Sequence, residues 1–123
     1  MRVLLVEDNP DILKVASLAL HLDGRFQVLQ ASSGRQGLAL ARTERPDLVV
    51  LDVVMPEMDG YETLRRLKAD ATTAAIPVVF LTIHGTPEER QQGLALGAVG
   101  HVPKPFDPLQ LPAQLLALAH PSH

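Results

Sequence analysis

The sequence predicts an α/β domain in which a parallel β-sheet carries helices on both faces. Short apolar runs alternate along the chain with segments whose apolar residues recur at helical spacing. Such alternation implies right-handed crossovers between parallel strands. Several of the apolar runs end in carboxylates or other polar side chains, which is where open α/β sheets place their chemistry.

The apolar runs predict five strands. They span about residues 2–6, 26–30, 47–52, 77–81 and 99–102. The third run ends on Asp52 after four consecutive apolar residues, which is typical of a strand buried on both faces. The second run alternates apolar with polar residues, so we expect it at an edge of the sheet.

Five helices are predicted between and after these strands. They span about residues 10–22, 35–44, 60–69, 86–95 and 108–119. An N-capping residue followed by proline marks three helix starts, Asn9-Pro10, Thr86-Pro87 and Asp107-Pro108. Gly24 and Gly97 are expected just beyond helix C-termini.

Length and composition narrow the functional classes. At 123 residues the chain is expected to form a single domain over residues 1–123. It has no cysteine, which excludes disulfides and thiolate metal sites. A net charge of -3 and few aromatic residues argue against direct nucleic-acid binding. No apolar stretch is long enough to span a membrane, so we expect no membrane association and a cytoplasmic location.

Polar residues follow four of the predicted strands. Glu7 and Asp8 follow the first, Asp52 ends the third, Thr82 follows the fourth and Lys104 follows the fifth. The carboxyl ends of parallel strands meet at one edge of a sheet, so these side chains should lie close together.

This set of side chains is suited to phosphoryl transfer. A carboxylate can attack a phosphoryl group and form a mixed anhydride. Attack by one anion on another requires charge neutralisation, which carboxylate-bound Mg²⁺ and a lysine can provide. The sequence therefore predicts a phosphoryl-transfer site at this edge, with Asp52 at its centre.

The same residues resemble the receiver domain of two-component response regulators. The resemblance rests on Glu7-Asp8, Asp52 with the following Met-Pro-x-Met-Asp-Gly segment, Thr82, and Lys104-Pro105-Phe106. It covers essentially the whole chain. It implies a flavodoxin-like, doubly wound sheet of five parallel strands in the order 2-1-3-4-5, with five helices.

The resemblance also implies a metal site. Asp8 and Asp52 would be direct Mg²⁺ ligands, and Glu7 would act mostly through water. The third protein ligand would be the main-chain carbonyl of Val54.

By the same resemblance, Asp52 is the phosphoacceptor, Lys104 pairs with a phosphoryl oxygen and the Thr82 hydroxyl donates to another. The phosphodonor would be a phosphohistidine on a histidine kinase or phosphotransfer protein. The chain would then be a signalling switch that catalyses its own phosphorylation and dephosphorylation, and not a metabolic enzyme.

Two positions depart from the family pattern, and two others stand where the family tunes hydrolysis of the phosphoaspartate. His101 stands where the family usually has an aromatic residue that turns inward as Thr82 is recruited, so we expect His101 to share the switch. Burial favours the neutral imidazole, so activation is expected to depend on pH near neutrality. Ile83 stands where the family prefers a small residue, and Val54 and His84 occupy positions that tune phosphoaspartate hydrolysis.

A partner surface is expected on the fourth helix, fifth strand and fifth helix, for an output protein or for self-association. Leu111, Leu115 and Leu118 share one face of the last helix and could form part of it.

Other functions remain open at this point. The main alternative is a pseudo-receiver that binds partners without phosphorylation. A haloacid-dehalogenase-type hydrolase fits poorly, because that family has Asp-x-Asp after its first strand whereas Val54 stands two residues after Asp52. A flavin-binding flavodoxin relative fits poorly too, since the first strand is not followed by a hydroxyl- and glycine-rich phosphate loop.

Overall fold

Five strands and five helices alternate through the part of the chain that the computed structural model describes, residues 1–83 and 85–119. The strands are β1 (Arg2–Val6), β2 (Gln27–Ala31), β3 (Leu48–Asp52), β4 (Val78–Thr82) and β5 (Gly100–Pro103). The helices are α1 (Pro10–Asp23), α2 (Gly34–Glu44), α3 (Gly60–Ala69), α4 (Pro87–Ala95) and α5 (Leu111–Ala119). His84 and its predicted effect on hydrolysis lie outside the described residues.

The strands form one parallel sheet in the order β2-β1-β3-β4-β5, which confirms the fold class and the order implied by the resemblance. β2 lies at an edge, as its alternating pattern predicts. None of the described helices is long and apolar enough to cross a membrane.

Alternating side chains of the central strands feed two buried clusters, one on each face of the sheet. In β1, Leu4 and Val6 belong to the cluster beneath α2 and α3, whereas Val3 and Leu5 belong to the cluster beneath α1 and α5. No residue of α4 belongs to either cluster, although the whole of that helix is described. The core therefore holds α1, α2, α3 and α5 more firmly than it holds α4.

The capping signals at α1 and α4 are confirmed. The Asn9 side chain accepts hydrogen bonds from the N–H groups of Asp11 and Ile12, and the Thr86 hydroxyl accepts one from Glu89 N–H. Gly24 follows α1 with a φ of 84°, a left-handed conformation that glycine adopts without steric cost.

The start predicted for the last helix was wrong. α5 begins at Leu111 and not at Pro108. Asp107 instead caps a separate turn, where its side chain accepts a hydrogen bond from Leu109 N–H at 2.9 Å. Proline is tolerated in the first turn of a helix, whereas in a helix begun at Pro108 the ring of Pro112 would meet the carbonyl four residues back.

The partner surface predicted from the leucines of α5 was also wrong in part. Leu111 and Leu115 are fully buried against the sheet, and Leu118 packs over Gly100. These leucines are core residues because their face of α5 is turned towards the sheet. Leu94 and Val99 are the exposed large apolar residues of α4 and of the segment before β5.

Candidate functional site

The carboxyl ends of the strands bring the predicted site residues to one cleft. Thr82 pairs with Pro103 in the sheet register, and Asp52 pairs with Leu81, so adjacent strand ends stand side by side. The cleft has a volume of ≈ 250 Å³. Its lining includes all the predicted metal and phosphoryl-contacting residues: Glu7, Asp8, Asp52, Val54, Thr82 and Lys104.

Lys104 joins two buried carboxylates. Its Nζ donates to Glu7 Oε1 at 2.6 Å and to Asp52 Oδ1 at 2.9 Å. Glu7 and Asp52 are only 2% and 5% exposed, so each would be costly to bury without this partner. The second oxygen of Glu7 accepts a hydrogen bond from Asn9 N–H at 3.1 Å, which ties the carboxylate to the start of α1.

Burial changes the proton affinity of Glu7. Removal from water raises its pKa to about 7, an effect that the hydrogen bond and negative charge of Asp52 reinforce. The ammonium of Lys104 and the Asn9 N–H act in the opposite direction without cancelling it. Burial alone would lower the pKa of Lys104, but its bonds to Glu7 and Asp52 outweigh this effect and raise the pKa. Glu7 therefore sits near the midpoint of its titration at neutral pH.

The acidic residues are close enough to share a cation. Glu7, Asp8 and Asp52 each offer a carboxylate oxygen, and these oxygens all lie within 4.8 Å of one another. Asp8 is exposed, which leaves room for the water ligands that Mg²⁺ usually keeps. The carboxylate oxygens are hard donors that suit a divalent cation. The three carboxylates also carry more negative charge than Lys104 can neutralise.

Gly60 has a positional role that the sequence did not reveal. A Cβ at this position would come within 2.3 Å of the Asp52 carbonyl oxygen, and Gly60 N–H donates to Val53 O at 2.8 Å. The sequence predicted only the start of a helix at about residue 60, and the Asp59 side chain does cap α3 by accepting a hydrogen bond from Glu62 N–H. The close approach depends on how α3 returns over the strand end, which the local pattern does not specify.

The loop between β3 and α3 turns Val54 outwards. Met55 and Met58 are buried on the core side of the loop, whereas Val54 is 61% exposed beside the cleft. Ile83, which is 65% exposed, flanks the cleft from the end of β4. Two aliphatic side chains, Val54 and Ile83, therefore stand beside Asp52.

Thr82 separates the cleft from a second, smaller space. That space is a cavity of ≈ 20 Å³ beneath α4, lined by Tyr61, Phe80, Thr82, Arg90 and His101 among others. Among the described residues that line the cleft and the cavity, only Thr82 lines both. His101 is half-buried there, and its pKa is lowered by burial and by the charge of Arg90.

Comparison with known proteins gives a consistent match. The family described as the response regulator receiver domain matches residues 3–116. PilH of Pseudomonas aeruginosa is 40% identical over 106 residues, which are 86% of this chain and 87% of PilH. The DNA-binding dual master transcriptional regulator RpaA of Synechocystis is 39% identical over 95% of this chain.

The chain spans about half the length of several of the curated relatives it matches, for example 48% of RpaA. Among solved structures, the chemotaxis protein CheY4 of Vibrio cholerae superposes with a TM-score of 0.89. It is 35% identical, and the match covers 95% of this chain and 97% of CheY4.

Proposed function

Because the chain belongs to the response regulator receiver family, we propose that Asp52 accepts a phosphoryl group in a Mg²⁺-dependent reaction. The observation that carries this proposal is the convergence of Glu7, Asp8 and Lys104 on the buried Asp52 carboxylate. A carboxylate in this setting is a nucleophile held in place, with a cation site on one side and an ammonium on the other.

In the proposed reaction an Asp52 oxygen forms a bond to phosphorus while the bond from phosphorus to the donor breaks. The bonding electrons leave with the donor, which is a phosphohistidine imidazole on a histidine kinase or phosphotransfer protein. Lys104 Nζ, already 2.9 Å from Asp52, then pairs with a phosphoryl oxygen. The Thr82 hydroxyl donates to another phosphoryl oxygen.

Asp8, Asp52 and the Val54 carbonyl would hold Mg²⁺, with Glu7 acting through water. When bound, the cation would supply charge neutralisation for the phosphoryl oxygens. Mg²⁺ should stabilise the folded protein by about 2.7 kcal/mol at one hundred times its Kd, as mass action requires. Asp8→Ala should abolish that stabilisation. Asp11 is an exposed carboxylate on α1, so Asp11→Ala serves as the control and should retain the stabilisation. An equal response of both variants to Mg²⁺ would place the metal elsewhere.

Phosphorylation would change partner binding through Thr82 and His101, which we propose as switch residues. The surface of α4 and β5, including the exposed Leu94 and Val99, would then bind an output protein or a second copy. We propose that this domain makes no direct contact with nucleic acid or membrane, forms one domain over residues 1–123 and works in the cytoplasm.

The proposal is tested by incubation with acetyl phosphate and Mg²⁺, followed by intact-mass measurement. The wild type should gain the mass of one phosphoryl group, and Asp52→Asn should gain none. Asp11→Asn serves as the matched control and should behave as the wild type does. Absence of an adduct on the wild type, or an adduct that survives Asp52→Asn, would favour the pseudo-receiver, which binds partners without phosphorylation.

A further inference from the structure

Helix α4 is held to the sheet by very little apolar contact. Its one buried residue is Gly93, and a Cβ there would lie 3.2 Å from two ring carbons of Phe80. The remaining residues are polar or exposed, including Leu94 at 51% exposure. A helix that buries so little surface can shift at small cost in free energy.

The cavity beneath this helix is small and mostly apolar. Tyr61 packs edge-on against Phe80, with ring centroids 5.4 Å apart, and both rings line the cavity. The remaining ≈ 20 Å³ can hold about one water molecule. His101 lines this cavity from β5 and is half-buried, so a charged imidazole would lose part of its hydration there.

Among the charged groups around His101, Arg90 opposes its protonation. From α4, Arg90 and Glu89 line the cavity, from α3 comes the neutral phenol of Tyr61, and from β4 the hydroxyl of Thr82. The Glu89 carboxylate is within hydrogen-bond distance of the Thr86 hydroxyl at the start of α4. Within the described part of the chain, no carboxylate forms an ion pair with Arg90. A protonated His101 would therefore share the lining of the cavity with the exposed guanidinium of Arg90.

We propose that the α4–β5 seam, formed by Phe80, Arg90, Gly93 and His101, is a proton-sensitive switch. When His101 gains a proton, the charged imidazole is repelled by Arg90 and moves towards water. Because Gly93, which lies over Phe80, is the one buried residue of α4, the helix then shifts relative to β5. Burial and the charge of Arg90 both lower the pKa of His101, which agrees with this account. The inference does not depend on phosphorylation of Asp52.

The test is an NMR titration between pH 5 and 8, without Mg²⁺ or phosphodonor. His101→Gln assigns the imidazole signal of His101. In the wild type, amide signals of α4 and β5 should titrate with the same midpoint as that imidazole. Arg90→Gln should raise the midpoint by about 0.5 pH unit, because one opposing charge is removed. Arg65→Gln, an exposed arginine on α3, should leave it unchanged.

Two results would overturn the proposal. The first is a His101 midpoint that is the same in Arg90→Gln and Arg65→Gln. The second is an unchanged α4 titration in His101→Gln, which would assign the effect to Glu7, since that carboxyl titrates in the same range. Neither result bears on whether Asp52 is phosphorylated, so the two proposals fail separately.

Discussion

At the acidic corner, formed by Glu7, Asp8, Asp52 and Lys104, both buried carboxylates are hydrogen-bonded to the same ammonium. At the α4–β5 seam, Gly93 is the one buried residue that α4 contributes. The corner lies at the carboxyl edge of the sheet, whereas the seam lies over the middle of β4, where Phe80 pairs with His101 of β5. The corner rests on β1 and β3, whose residues are almost entirely buried, and the seam rests on the edge strand β5.

This difference separates two tasks. The proposed phosphoryl transfer requires atoms held in fixed positions, and the ion pairs of the corner would hold them there. A change in partner binding requires an element that can move, and α4 is the least buried of the helices. Thr82 lies between the two regions, because it lines both the cleft and the cavity.

The largest expected effect comes from breaking the corner. Lys104→Met keeps the apolar stem but leaves Glu7 and Asp52 without their cation, so the free energy of unfolding should fall by about 3 kcal/mol. Urea denaturation at neutral pH measures the change. Lys14→Met, at an exposed lysine on α1, is the control. If the free energy of unfolding fell no further in Lys104→Met than in Lys14→Met, the ion pairs of the corner would make no particular contribution to stability.

A pair of glycine substitutions compares the two regions directly. Gly60→Ala places a methyl group 2.3 Å from the Asp52 carbonyl oxygen, which is backbone and cannot yield without moving the strand end. We expect a loss of about 2 kcal/mol. Gly93→Ala meets the Phe80 ring at 3.2 Å and gains helix propensity, so its stability should stay within about 1 kcal/mol of the wild type.

Urea denaturation of the two variants under the same conditions checks this expectation. Equal losses would show that the seam is packed as rigidly as the corner. A greater loss for Gly93→Ala would reverse the comparison.

A smaller effect concerns the pH dependence of stability. The pKa of Glu7 is about 7 in the folded protein and 4.5 in an ordinary environment, so between these values the folded state binds a proton that the unfolded state lacks. The stability from this proton is fully present below pH 4.5 and is lost as the pH rises through about 7.

Glu7→Gln removes this dependence. In metal-free buffer, the unfolding free energy of the wild type minus that of the variant should fall between pH 5 and 8, whereas the same comparison with the exposed Glu88→Gln should be flat. A Glu7→Gln difference that is flat or rises with pH would contradict the raised pKa.

Much of this arrangement could be predicted from the sequence, because it depends on local patterns. The apolar run that ends on Asp52 predicted both the strand β3 and the position of the carboxylate at its carboxyl end. The caps at Asn9 and Thr86 likewise depend on neighbouring residues alone. The strand order required the resemblance to a family, since periodicity does not determine which strands are neighbours.

Features that depend on tertiary contact could not be predicted in this way. The leucines of α5 have the same spacing whether they face the core or a partner, and only the position of the helix over the sheet buries Leu111 and Leu115. The close approach of Gly60 to Asp52 and the facing of Arg90 and His101 likewise join residues that are distant in sequence.

We expect that a phosphoryl group on Asp52 changes the conformation of the α4–β5 seam, and that this coupling depends on the Thr82 hydroxyl. It is tested most directly by NMR with Mg²⁺ and beryllofluoride, a phosphoryl mimic, on the wild type and on Thr82→Val, which keeps the shape but removes the hydroxyl. We expect amide shifts at both the corner and the seam in the wild type, and at the corner alone in Thr82→Val. Equal seam shifts in the two proteins would contradict the account.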